Sequence, residues 1–190
     1  MMNTDKPILI LASSSPTRRR LMEEAGLKFE VIPNDFKEDM NLPLPPRELA
    51  IRLAIGKAEA VAKKLKEAVV IGADTFVVFE GKIIGKPHTP EKATETLKML
   101  NGKAHIIISG LTVIYGDKSI SKAVETKVFF RNLSDNEIND YVATGEPLEK
   151  AGSYAIMENG WKFVDRIEGS KTNVSGLPTE ELLNILKELN

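Results

Sequence analysis

The chain has 190 residues, 42% of them hydrophobic, and a net charge of −1. This suits one domain with a sizeable core, and the missing basic surplus argues against a nucleic-acid binder. The absence of cysteine and the presence of only two histidines, His88 and His105, exclude disulfides, thiolate zinc sites and histidine-rich metal centres.

No apolar run approaches the roughly 18 residues of a membrane span, and no signal-peptide pattern is present. The chain therefore reads as a soluble cytoplasmic protein with no membrane partner. In chain order, Ile8–Ala12 reads as a short buried strand. Ser15 can cap the next helix, Pro16 suits its first position and Gly26 ends it. Lys28–Ile32 is a second strand, followed by a Pro-rich acidic loop and a long helix over Pro46–Leu65. Ala68–Asp74 reads as a buried strand ending in a carboxylate, and Thr75–Pro87 as a strand and hairpin turning at Glu80-Gly81. A helix over Thr89–Leu100 leads to an alternating strand pair around Gly116-Asp117. Ser134–Thr144 is a helix with a Ser134/Glu137 capping box. Residues 160–170 read as a strand pair, or a strand with a bulge, and Pro178–Leu189 as the last helix. With no repeat and no linker, the expectation is a single α/β domain over 1–190 with a mixed sheet.

Several residues break their local pattern. Three arginines occupy the start of the first helix, where each exposed charge opposes the dipole at a cost of roughly 0.3–1 kcal/mol. At about 100° per residue, Arg18 falls on the face of Leu21, Met22 and Ala25, whereas Arg19 and Arg20 point to solvent. The helix start, the hydroxyls of Ser13 and Ser15, and Arg18 together make an anion site. In the long helix, Leu49, Leu53, Val61 and Leu65 form an apolar stripe with Lys57 at its centre. A lysine there needs an anionic partner, unless it snorkels to the rim. Asp74, at the close of an apolar strand, stands where open α/β sheets place ligands, with Thr75 able to hydrogen-bond beside it. Glu38, in the acidic loop, could join Asp74 in holding a divalent metal and activating water; for carboxylates and substrate oxygens, magnesium or manganese is the fitting ion. Lys86 lies between Gly85 and Pro87 as a positioned phosphate contact. No GxxxxGK[ST], GxGxxG or GxSxG motif is present, so phosphate handling falls to the serine–arginine turn and the lysines.

Read together, "LILASSSPTRRRLM", "RLAIGKA", "GADTFV", "GKP", "GEPLEKAGSYAI" and "NVSGLP" occur in order from Leu9 to Pro178. This set resembles the Maf family of nucleoside triphosphate pyrophosphatases. The resemblance implies an elongated, two-lobed Maf/ITPase-like fold: a mixed, twisted sheet flanked by helices, with a cleft between the lobes, often dimeric. It also implies metal-dependent cleavage of a nucleoside triphosphate to the monophosphate and pyrophosphate, as a means of removing modified or unwanted nucleotides. The family's S-x-S-P-x-R matches Ser13, Ser15, Pro16 and Arg18; its acidic-loop glutamate falls on Glu38, its helix lysine on Lys57, its aspartate on Asp74 and its K-P lysine on Lys86. By that resemblance Glu38 and Asp74 hold magnesium or manganese, Asp74 is the base, and Arg18, Lys57 and Lys86 bind phosphates.

Two positions depart from the family's patterns. The uridine/thymidine group resembles S-x-S-P-R-R with a later Ile-Gln, where this chain has Thr17 and Ile156-Met157. The 7-methyl-guanosine group has tryptophan in place of Thr17. Thr17 and Met157 are thus the base-selectivity candidates, and the base stays open. A methionine cannot offer an amide's paired donor and acceptor to a base edge. The alternative function is a nucleotide-sensing protein that regulates cell division with little turnover, its base pocket weakened at these two positions.

Overall fold

The computed structural model describes residues 7–189. The single domain expected over 1–190 includes residues 1–6 and 190, which lie outside that range. A mixed seven-stranded sheet runs through the molecule in the order β2-β1-β3-β5-β6-β7, with β4 attached to β3. β1 (Leu9–Leu11) pairs in parallel with β2 (Phe29–Val31) and with β3 (Val69–Phe79). β5 (Ala104–Tyr115), β6 (Lys118–Phe130) and β7 (Val164–Glu168) continue from β3 as an antiparallel run. The parallel part requires crossover helices, and α1 (Pro16–Glu24) and α2 (Pro46–Ala62) supply them.

Side-chain alternation along β3 sorts the core. Val70, Phe76 and Val78 face α2, where they meet Ala58 and Val61 at one end and Leu49 and Leu53 at the other. Ile71 and Ala73 face the opposite way and pack with α1 and α6 (Thr179–Glu188), through Leu21, Met22, Leu182 and Ile185. Further along that second face, Val77 and Phe79 join α3 (Pro90–Leu100) and α4 (Asp135–Ala143) through Leu97, Leu100, Ile138 and Tyr141. Gly72 and Gly110 let α2 lie against bare backbone: a Cβ on either would collide with the carbonyl oxygen of Ala54 or Ala50 respectively.

Two expectations are corrected. The segment read as a strand ending at Asp74, followed by a separate strand, is one strand of 11 residues, so Asp74 lies in mid-strand. Its distinctive place comes from its neighbours. On one edge β3 pairs with β5 continuously, Asp74 opposite Gly110. On the other, β1 ends opposite Ile71 and β4 (Lys82–Ile84) begins pairing only at Val77, leaving the edge between them open. Second, the stretch from Asn159 to Phe163 is 3-10 turn; only Val164–Glu168 is strand. The sequence pattern also misses α5 (Lys171–Val174), a single turn capped by Ser170. The Glu80-Gly81 hairpin forms as expected, with both residues at positive φ.

His105 is buried on β5, 2.8 Å by Nε2 from the Tyr154 hydroxyl and edge-on to the rings of Phe130 and Tyr154. Burial pushes its pKa down to about 4. The unfolded chain therefore binds a proton that the fold refuses, and the stabilising preference for neutral His105, full above its unfolded pKa, is lost as pH falls from about 6.5 to about 4. Urea titrations should show this group costing the wild type about 3 kcal/mol over that interval, a slope that His105→Gln removes. Gly110→Ala should cost about 1–3 kcal/mol by the same measurement, because α2 must lift off β5.

Candidate active site

The open stretch of the β3 edge is where the unusual residues meet. Asp74 points to the α2 face, and Lys57, at the middle of α2, points back at it; they are 7% and 6% exposed. Lys57 Nζ donates to Asp74 Oδ1 and also pairs with Glu38 Oε1 at 2.9 Å. Lys57 is thus buried and paired and does not snorkel to the rim. Burial pushes the Asp74 carboxyl above its ordinary range, opposed by the adjacent Lys57 ammonium and by Arg18. Asp74 Oδ2 is buried with no hydrogen-bond partner among the described residues.

The loop that carries Glu38 is tied down at two points. Asn34 donates from its side chain to the Ala12 carbonyl at 2.8 Å and accepts from the Phe36 N–H at 3.3 Å. The Phe36 ring lies directly on Gly56, where any Cβ would strike it. A glycine next to the site lysine therefore lets an aromatic ring hold the loop against α2, which brings Glu38 onto Lys57.

Arg18 approaches from the other face of the sheet. The end of β1 at Leu11 leaves no strand between the faces at this edge, so α1 can aim a side chain at Thr75, the residue after Asp74. Its Nε donates to the Gly176 carbonyl at 2.9 Å, and its terminal nitrogens reach Ser13 Oγ at 3.3 Å and Thr75 Oγ1 at 3.5 Å. Thr75 Oγ1 is also 2.8 Å from Ser109 Oγ and donates to Gly176 O at 3.2 Å. Burial pulls the guanidinium below its ordinary value against the field of Asp74 and Glu38, yet an arginine stays charged. Among the described residues it forms no ion pair; every hydrogen-bond partner is a neutral oxygen. A largely desolvated cation without a counter-ion is a strong anion site. Ser15 Oγ accepts from the Arg18 N–H as the helix cap.

Arg19 and Arg20 behave as the helical spacing predicts, pairing on the surface with Glu23 at 2.9 Å and Glu24 at 2.8 Å. A cleft of about 780 Å³ contains Ser13, Ser15, Thr17, Arg18, Glu38, Lys57, Asp74, Lys86 and Met157, so all the residues singled out in the sequence line one space. They do not all touch. Lys86 is exposed and pairs with Glu149 at 3.4 Å. Thr17 and Met157 line the walls. The sequence reading missed Ser109, the Gly176 carbonyl, Asn34 and Phe36; the only available signals were the glycine of "NVSG" and that of "IGK".

A divalent cation fits this donor set. Asp74 Oδ2 is unpaired among the described residues, and Glu38, 45% exposed, can leave Lys57. No group of three or more metal-binding side chains exists among the described residues, so substrate oxygens would have to complete the shell, as magnesium sites commonly arrange. No described helix is long and apolar enough to cross a membrane.

A family model described as "Maf-like protein" matches residues 8–189. The dTTP/UTP pyrophosphatase of Bacillus cereus (strain AH820) is 42% identical over 182 residues, covering 96% of this chain and 95% of that protein. The dTTP/UTP pyrophosphatase of Geobacillus sp. (strain WCH70) is 42% identical over 181 residues, covering 95% and 97%. Among solved structures, the Staphylococcus aureus Ham1 protein aligns with a TM-score of 0.45 and 19% identity over 67% of this chain and 72% of that one.

The three arginines should separate in mutants. Arg19→Ala and Arg20→Ala should each change unfolding free energy by no more than about 0.5 kcal/mol, as exposed i,i+4 pairs do. Arg18→Ala should abolish the binding of inorganic pyrophosphate measured by calorimetry, which the other two retain.

Proposed function

The chain belongs to the Maf family of nucleoside triphosphate pyrophosphatases, and we propose that its cleft cleaves UTP and dTTP between the α and β phosphates. The observation that carries the assignment of roles is the junction of a buried Lys57–Asp74 pair with an Arg18 that lacks a counter-ion, at one open strand edge. The relatives' names support the choice of base, although Thr17 and Met157, in the cleft wall, replace the arginine and glutamine of the uridine/thymidine pattern. The reading as a nucleotide sensor with little turnover is not favoured, because the relatives are named as enzymes.

Arg18, with the hydroxyls of Ser13 and Ser15, would bind phosphate oxygens, and Lys86 would swing from Glu149 onto the outer phosphates. The Lys86–Glu149 contact is an exposed ion pair, of a kind worth about 0–1 kcal/mol, so a phosphate can displace it cheaply. Lys57 holds Asp74 as a carboxylate against the cost of burial. Asp74 then takes a proton from the water that attacks the α phosphorus, the bond to the bridging oxygen breaks, and pyrophosphate leaves. Glu38 and Asp74 would hold magnesium or manganese, which when bound supplies positive charge to the phosphate oxygens. Arg18 and Lys86 offset the charge that develops on the leaving group.

Incubation of UTP or dTTP with either metal should yield the monophosphate and pyrophosphate in equal amounts. Asp74→Asn should lower kcat by about 10²–10⁴. Release of orthophosphate instead would reject the reaction, and full activity in Asp74→Asn would reject the role of Asp74.

A further inference from the structure

Residues 155–160 make up one wall of the cleft and contribute Ala155, Ile156, Met157 and Glu158 to its lining. The segment belongs to no helix or strand until its last two residues, and its internal support is slight: Glu158 N–H to the Ala155 carbonyl at 3.1 Å. Ile156 packs towards the core of α3 and α4, and Met157 towards that of α1 and α6, so the segment contacts both apolar clusters. Within the cleft, Lys150 Nζ donates to Glu158 Oε1 at 3.0 Å; the ties at the two ends of the segment lie behind it. Tyr141, buried on α4, accepts from the Ala155 N–H at 3.1 Å and donates to Glu146 Oε1 at 2.7 Å. The same Oε1 accepts from the Gly160 N–H at 3.3 Å. Glu146 Oε2 accepts from the Asn159 side-chain amide at 2.8 Å and from its N–H at 3.4 Å. The first and last residues of the segment are thus closed onto one tyrosine–carboxylate clasp. Gly160 permits the closure, since a Cβ there would sit 2.7 Å from Ala155 N and 3.0 Å from the Tyr141 hydroxyl.

A wall of Ile156 and Met157 offers area and shape, and lacks the paired amide donor and acceptor that would read a base edge directly. Selectivity from such a wall depends on how rigidly it is held, because a loose apolar surface adapts to any flat ring. We infer that Tyr141 and Glu146 are positioning residues for the nucleobase: they hold the 155–160 wall in the one shape that favours the preferred base, without touching substrate. The inference rests on the reading of the cleft as a nucleotide site with its base against Met157.

The test uses probes with and without a base. UMP, GMP and inorganic pyrophosphate are titrated calorimetrically into wild type, Tyr141→Phe and Glu146→Gln, and hydrogen exchange is followed over residues 155–160. Each variant should bind UMP about tenfold more weakly, the loss expected for one good hydrogen bond's worth of organisation, while pyrophosphate affinity is unchanged. The preference for UMP over GMP should shrink, and the 155–160 amides should exchange faster with the rest of the chain unaffected. If all three ligands weaken alike, or if the segment loosens and the UMP preference is unchanged, the positioning role is overturned. Binding of pyrophosphate but no nucleotide by the wild type would overturn it as well. Failure of the wild type to release pyrophosphate from UTP, with base-dependent binding intact, would reject the proposed reaction and leave the clasp to be judged by the binding ratios. Two variants that act on different atoms of the clasp guard against a simple folding defect in either one.

Discussion

The buried pair of Lys57 and Asp74 governs the organisation of this molecule. Two charges removed from water cost several kcal/mol each, and their attraction repays this only in good geometry. The geometry comes from a helix laid so closely on the sheet that Gly72 and Gly110 are needed beneath it. It also comes from a strand whose flank is uncovered just where the carboxylate sits. Loss of either partner would strand a charge in the interior, so pair, helix and strand edge form one unit.

The open edge between β1 and β4 does a second thing. In a complete sheet, Asp74 and Thr75 would face opposite layers and could not serve one site. Because β1 stops at Leu11, the α1 side reaches Thr75 and the α2 side reaches Asp74 around the same edge. Arg18 is thereby brought into the field of Asp74 and Glu38 while keeping only neutral hydrogen-bond partners. On the proposed reading, the cations would meet a substrate's anionic oxygens, and Asp74 Oδ2, unpaired among the described residues, a divalent cation. A bound anion would offset the dipole cost of an arginine at the helix start.

The two sides of the cleft are built differently. The side proposed for the triphosphate uses buried charges on a helix and a strand. The side proposed for the base uses a segment of turns closed from behind by Tyr141 and Glu146. Rigid elements suit a reaction common to the family, and a loop suits a choice that differs within it.

The sequence by itself determined much of the candidate site, because the signals were local. Helical periodicity alone separated Arg18 from Arg19 and Arg20 and placed Lys57 among leucines, and the Glu80-Gly81 turn and the Ser134 cap are properties of a few adjacent residues. The resemblance of the ordered motifs then tied those residues to a reaction. Tertiary structure decided what depends on distant partners. Asp74 looked like the end of a strand because a carboxylate interrupts an apolar run; it lies in mid-strand because β5 pairs through it while β1 does not reach it. The Gly176 carbonyl reaches Arg18 from 158 residues away, and Glu146 gathers the ends of a loop whose turns have no period. Hydrogen bonds between such positions leave no pattern along the chain, since neither partner's neighbours record where the other will be.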